Sequence, residues 1–153
     1  MASIVTLEEF RNAAGRELAP SSWLDITQER VQMFADATDD QQFIHVDPVK
    51  AAATPFGGTI AHGYLTLSLL VRLNQEFALV PEGRTMTINY GADKVRFVAP
   101  VPVGSRIRSK QKILEVTQRS PGYWLIRTAV TVEIENSAKP AMLAEVLYLH
   151  IVK

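Results

Sequence analysis

Two periodicities divide the chain near residue 85. Beyond it, the runs 85–98, 105–117, 123–135 and 141–152 are long, rich in Val, Ile and Thr, and separated by turn-forming stretches at 100–104, Ser120-Pro121-Gly122 and 136–140, so they predict four strands. In the third run Trp124, Ile126, Thr128, Val130, Val132 and Ile134 fall on one face, with Arg127, Glu133 and Glu135 among the residues on the other. Before residue 85 the spacing is helical. Thr6 caps a short helix over 6–15, with Glu9 at the capping-box position and Gly15 as its stop, packed on the exterior. Residues 27–38 carry Val31, Phe34, Ala35 and Thr38 at helical spacing, with Asp25 or Thr27 available to cap the start, and Asp47-Pro48 caps a short helix over 49–53. The stretch 61–79 is apolar around most of its circumference and predicts one long, nearly buried helix closed by Pro81 and Gly83.

A central helix followed by four substantial strands is an α+β pattern with an antiparallel sheet rather than an alternating βαβ one. No repeat, low-complexity tract or linker interrupts it, and 153 residues are enough for one core but a tight fit for two domains. A chain of this length buries roughly 68–70% of the surface its unfolded form exposes, without needing staples.

Charge and cysteine content remove several function classes. Sixteen Lys and Arg balance sixteen Asp and Glu, which argues against non-specific nucleic-acid or anionic-membrane binding. The absence of cysteine excludes disulfides, thiolate metal sites and a cysteine nucleophile, and fits a reducing compartment. The N-terminal residues lack the pattern of a secretory signal, and Arg72, Asn74, Gln75 and Glu76 break the most apolar stretch, so no membrane insertion and a cytoplasmic location are expected. Neither GxxxxGK[ST] nor GxGxxG occurs, so nucleotide cofactors have no local support.

Two segments can carry chemistry. Asp40 and His45 lie five apart in an irregular stretch, where a carboxylate and an imidazole can bind one water and move its proton near neutral pH. The same residues also suit structural work, Asp40 capping a turn and His45 bonding backbone. The second segment is Gly58-Thr59-Ile60-Ala61-His62-Gly63-Tyr64-Leu65-Thr66-Leu67-Ser68. Its small residues precede the long helix, so the Gly63 N–H can face charge developing on a carbonyl oxygen. His62 is expected to fix the chain by a hydrogen bond, and Ser68 either reaches a polar pocket or bonds backbone one turn earlier. His45, Asp47, His62 and His150 lack metal-ligand spacing, so no metal is expected. Arg106, Arg108, Lys110 and Lys112 alternate along one strand and read as the solvated face of a sheet.

The segment Asp40-Gln41-Gln42-Phe43-Ile44-His45 resembles the hydratase motif of the MaoC-like dehydratase family, usually Asp, any residue, Asn, Pro, an aliphatic residue and His. Gln42 stands where Asn is usual and Phe43 where Pro is usual, while the Asp and His positions are kept as Asp40 and His45. The stretch 56–68 is similar to the start of that family's central helix. Asn89-Tyr90-Gly91, Lys94-Val95-Arg96-Phe97, Pro100 and Val103-Gly104 resemble the strand and turn that follow it.

The resemblance is particularly to the single-hot-dog (R)-specific enoyl-CoA hydratases and their NodN-like relatives. It implies one hot-dog domain over 1–153, a long central helix wrapped by a curved antiparallel sheet, and a homodimer with active sites near the subunit boundary. The implied reaction is reversible hydration of trans-2-enoyl-CoA to (3R)-hydroxyacyl-CoA, with an acyl-CoA thioester as substrate and no metal or redox cofactor. Asp40 and His45 become the acid/base pair, Gly63 the backbone oxyanion donor, and Ser68, His62, Tyr90 and Phe97 candidates for the substrate pocket. A hot-dog acyl-CoA thioesterase, a dehydratase using another acyl carrier, and a non-catalytic acyl-thioester binding module are the alternatives on the same fold.

Overall fold

In the computed structural model, which describes residues 1–153, β1 (Ser3–Val5) runs into α1 (Leu7–Arg11). The expected capping box is formed: the Thr6 hydroxyl accepts from the Glu9 N–H at 3.1 Å, and the Glu9 carboxylate accepts from the Thr6 N–H at 3.0 Å. α1 nevertheless does more than cover the exterior. Its Phe10 is fully buried in an apolar cluster with Ala13, Leu79, Ile113, Trp124 and Ile126. Two short strands, β2 (Glu17–Leu18) and β3 (Leu24–Asp25), precede α2 (Gln28–Thr38), whose cap Thr27 accepts from the Arg30 N–H. α3 (Phe43–Val46) leads into α4 (Pro48–Ala52), where Asp47 accepts from the Lys50 N–H at 3.0 Å and Pro48 occupies the first turn.

The apolar stretch 61–79 does not form the single long helix expected. It resolves into α5 (Gly63–Ser68) and α6 (Leu70–Gln75), six residues each. Leu69 joins them at φ −67° and ψ −12°, a tighter turn than the α-helical average. The hydrogen bonds Leu69 N–H to Leu65 C=O and Leu73 N–H to Leu69 C=O carry the helical path across the joint. The path ends at Gln75, and Leu79–Pro81 form β4, paired parallel with β1. The periodicity ran on because Leu79 and Val80 are apolar and buried, and pairing with a distant N-terminal strand leaves no local mark.

The four predicted strands are present as β5 (Arg84–Phe97), β6 (Arg106–Ser120), β7 (Tyr123–Ile134) and β8 (Met142–Val152). They lie antiparallel in the order β2-β6-β7-β8-β5, with β3 also on β6. In β7 every second residue from Trp124 to Ile134 is buried, as the alternation required. Register shifts at Asn89/Gly91, Asp93/Arg96 and Ile113/Glu115 place irregularities in the long strands, the device by which a sheet bends. Its inner face packs Val130, Val132, Met142 and Val146 with Leu65, Leu69, Leu70 and Leu73 of the helices.

The outer face is the solvated one. Arg106 pairs with Glu135, and Arg108 and Lys110 meet Glu133 at 2.7 and 2.6 Å, so the basic stripe is matched by the neighbouring strand. Such exposed, solvent-screened pairs add little to stability. No helix is long and apolar enough to cross a membrane. β6 has β2 and β3 along part of one side, whereas β5 forms the opposite end of the sheet, with β8 its only partner, and nearly all of its residues are exposed.

Candidate active site

The loop after α2 is held back against that helix by side chains. Asp36 accepts from Gln32 Nε2 at 2.9 Å and from Gln41 Nε2 at 2.7 Å, and those two bonds hold its carboxyl below the usual range. Asp39 takes the left-handed conformation at φ 58°, which turns the chain out of α2 and presents Asp40. The Asp40 carboxylate is about half exposed and reaches the Gln42 N–H only at 3.4 Å, leaving it largely free.

His45 is the opposite case, buried and pinned. Its Nδ1 lies 2.7 Å from the carbonyl of Ile60, so Nδ1 carries the proton and donates, and Nε2 is left with its lone pair. The Ile60 N–H in turn donates to the Ile44 carbonyl at 3.0 Å, locking α3 to the segment before α5. Gln28 completes the support: its Nε2 donates to the His45 carbonyl at 2.7 Å, and its Oε1 accepts from the Thr59 hydroxyl at 2.6 Å. Burial lowers the His45 pKa, with the His62 ring adding to the fall, while the Ile60 bond and Asp40 oppose it. The imidazole is therefore neutral at physiological pH and available as a base.

His62 does the positioning work expected of it. Its Nε2 donates to the Asp40 carbonyl at 3.0 Å and lies 3.9 Å from the Asp40 carboxylate. Its ring stacks on His45 with centroids 3.8 Å apart. Asp40, His45 and His62 thus bring ligand-type atoms within 4.8 Å of one another, a convergence that residue spacing alone left open. With His62 Nε2 engaged as a donor and its Nδ1 buried without a partner, the cluster offers solvent one carboxylate and one imidazole lone pair. That set is short of the three protein ligands of a catalytic zinc site, and it suits a bound water.

Gly63 opens α5, so its N–H has no acceptor within the helix. The preceding residues are laced to the chain after β5, with Ala61 N–H to Val101 C=O at 2.8 Å and Val103 N–H to Thr59 C=O at 2.9 Å. A Cβ at Gly63 would lie 2.9 Å from the Phe97 ring, so only glycine permits this approach. Phe97 also meets Tyr64 edge-on at 5.8 Å. Ser68 donates to the Tyr64 carbonyl at 2.8 Å, the one-turn-back bond foreseen as its structural role, yet it also lines a cavity of about 260 Å³ together with Tyr90. Gln28, Asp36 and Gln41 were not foreseen from the sequence, because single polar residues on and after a polar helix carry no spacing signal.

The profile of the MaoC like domain matches residues 9–135 of this chain. The chain is 50% identical over 145 residues to 3-hydroxyacyl-thioester dehydratase Z of Mycobacterium tuberculosis, covering 95% of each protein. It is 48% identical over 143 residues to nodulation protein N of Rhizobium meliloti, covering 92% of this chain and 88% of the relative. Among solved structures, the unliganded R-hydratase PhaJ1 from Pseudomonas aeruginosa superposes with a TM-score of 0.70 at 25% identity, over 92% of this chain and 83% of that one.

Proposed function

The chain belongs to the MaoC-like dehydratase family, and on that premise we propose that Asp40 and His45 add water reversibly to a trans-2-enoyl thioester to give the (3R)-3-hydroxyacyl thioester. The protein is an enzyme of the hot-dog hydratase and dehydratase class, a lyase acting on coenzyme A thioesters. Residues 1–153 act as one hot-dog domain in this reading. The observation that carries the residue assignment is the anchored His45, whose Nδ1 is tied to Ile60 while Nε2 is left free in the group with Asp40.

In the hydration direction His45 Nε2 accepts a proton from a water held with Asp40 as the water oxygen bonds to the β-carbon. The double-bond electrons move to the thioester oxygen, which accepts from the Gly63 N–H. The proton then passes through the Asp40/His45 pair to the α-carbon as the carbonyl re-forms, and the carbon–sulfur bond stays intact. Incubation with a trans-2-enoyl-CoA is expected to remove the enoyl absorbance reversibly, release no thiol and yield the 3R alcohol on chiral analysis. Release of free thiol would instead make the protein a thioesterase, and binding without turnover across short and medium chains would make it a binding module.

The working unit in this reading is a homodimer. β5 has 14 residues with no partner on its outer side, and Met86, Ile88, Tyr90, Phe97 and Val98 are large apolar side chains exposed on or beside it. Free strand edges and apolar patches of this kind are normally covered. A second copy of the chain covers both and closes over the exposed Tyr64 and Phe97 beside Gly63. Light scattering is expected to return twice the 17.0 kDa of the chain, and a monomer at micromolar concentration would contradict the dimer.

A further inference from the structure

A second cavity of about 150 Å³ lies between α6 and the inner face of the sheet. It shares Val71, Asn89 and Tyr148 with the cavity lined by Ser68 and Tyr90, so the two adjoin in a recess along the helices. Asn74 lies 11 positions beyond Gly63, which at 1.5 Å per helical residue is roughly 16 Å along the helical path. The exposed wall of this cavity is mainly apolar, as a hydrocarbon chain requires, but several polar side chains interrupt it. Asn74, Gln111, Thr128 and His150 all line it and are all nearly inaccessible to bulk solvent.

Asn74 is the informative residue. Its Nδ2 donates to the Tyr148 hydroxyl at 3.1 Å, while its Oδ1 is buried and meets no partner. Buried polar atoms are nearly always paired, so an orphan acceptor on a residue that lines a cavity calls for a donor from a ligand or an ordered water, met once the amide turns toward it. The Tyr148 oxygen accepts from Asn74 and keeps its own O–H to donate, and burial raises its pKa so that the proton stays in place. Acceptor and donor side by side match a hydroxyl, which needs one of each. A carboxylate would face the Asn74 lone pairs, and His150 supplies no compensating charge, since burial and the nearby Arg84 charge push it down to about 4; Arg84, which also lines the cavity and donates to the Thr87 hydroxyl, is the one cation there, so a carboxylate-ended chain is the necessary control.

We propose that this end of the recess is a subsite for acyl thioesters bearing a neutral hydroxyl far from the thioester, recognised by Asn74 and Tyr148. The proposal rests on the hydratase reading for its thioester, and its test separates the two. Saturated acyl-CoAs of one chain length, ending in methyl, hydroxyl or carboxylate, are titrated by calorimetry against wild type, Asn74→Leu and Tyr148→Phe, with circular dichroism to establish folding. Wild type is expected to bind the hydroxyl-ended chain about 10-fold or more tighter than the methyl-ended one. Either substitution is expected to remove most of that preference, and Tyr148→Phe serves if Asn74→Leu does not fold.

Equal affinity for methyl and hydroxyl ends in wild type, or tighter binding of the carboxylate, overturns the subsite and leaves ordered water as the occupant. Turnover of a four-carbon enoyl-CoA by wild type, which does not depend on the far end of the recess, is measured in parallel. A hydroxyl preference without that turnover sinks the hydratase reading and keeps the subsite. Turnover without the preference does the reverse.

Discussion

Replacing His45 by Gln is expected to leave a folded protein that hydrates enoyl-CoA at a rate lower by roughly 10²- to 10⁴-fold, the usual worth of a positioned acid/base group. Glutamine keeps a side-chain donor for the Ile60 carbonyl but has no basic nitrogen to offer the water. Asp40→Asn removes the charge at nearly constant shape, and its effect is expected to be of similar size. The double variant is expected to be little worse than either single one, because groups that handle one proton act as a unit. The pH profile gives an independent readout. Burial lowers the His45 pKa below the usual 6.5, so the wild-type value of kcat/KM falls on the acid side only below the ordinary histidine range, as His45 takes up a proton and ceases to be a base. His45→Gln is expected to erase that limb. Near-wild-type turnover by both single variants would remove the pair from the mechanism.

A second large effect is expected at Gly63, where the group at stake is a backbone N–H. Proline deletes that N–H and is tolerated at the first position of a helix. His62, at φ −60° and ψ 139°, already has the extended conformation required of a residue before proline. The obstacle is the Phe97 ring, 2.9 Å from where a Cβ would stand, so the comparison is made in a Phe97→Ala background. Adding Gly63→Pro there is expected to lower kcat by about 10²- to 10³-fold, as for loss of one oxyanion-hole donor. Gly63→Ala in the same background keeps the N–H and is expected to keep most of the rate of its parent. Equal kcat for the proline variant and its parent would show that this N–H does not meet the developing charge.

Local signals were legible where local chemistry decides the outcome. Thr6 with Glu9, Thr27, and Asp47 with Pro48 start the helices where capping rules place them, and the alternation from Trp124 to Ile134 forms the buried face of β7. The stretch 61–79 misled because buried strand β4 is as apolar as a buried helix, and periodicity cannot separate them once both sides are covered. α1 misled for a related reason: a short helix with only Leu7 and Phe10 as large apolar residues looks like a surface helix until β4, β6 and β7 close around Phe10.

The sequence by itself determined the α+β class, the positions of the main helices and of the four long strands, and the pair Asp40 and His45 together with Gly63 as the residues to watch. The class and the elements follow from periodicity and capping, which act over a few residues at a time, and the three residues from the resemblance of their segments to a known family's motifs. Only the tertiary structure decided which His45 nitrogen stays free, that His62 stacks on that ring, that Gln28 ties the His45 carbonyl to Thr59, and that Asn74 is left with an unpaired oxygen beside Tyr148. Each of these depends on segments far apart in the chain meeting at hydrogen-bond or van der Waals distance, and no local pattern encodes which partner a buried polar atom finds.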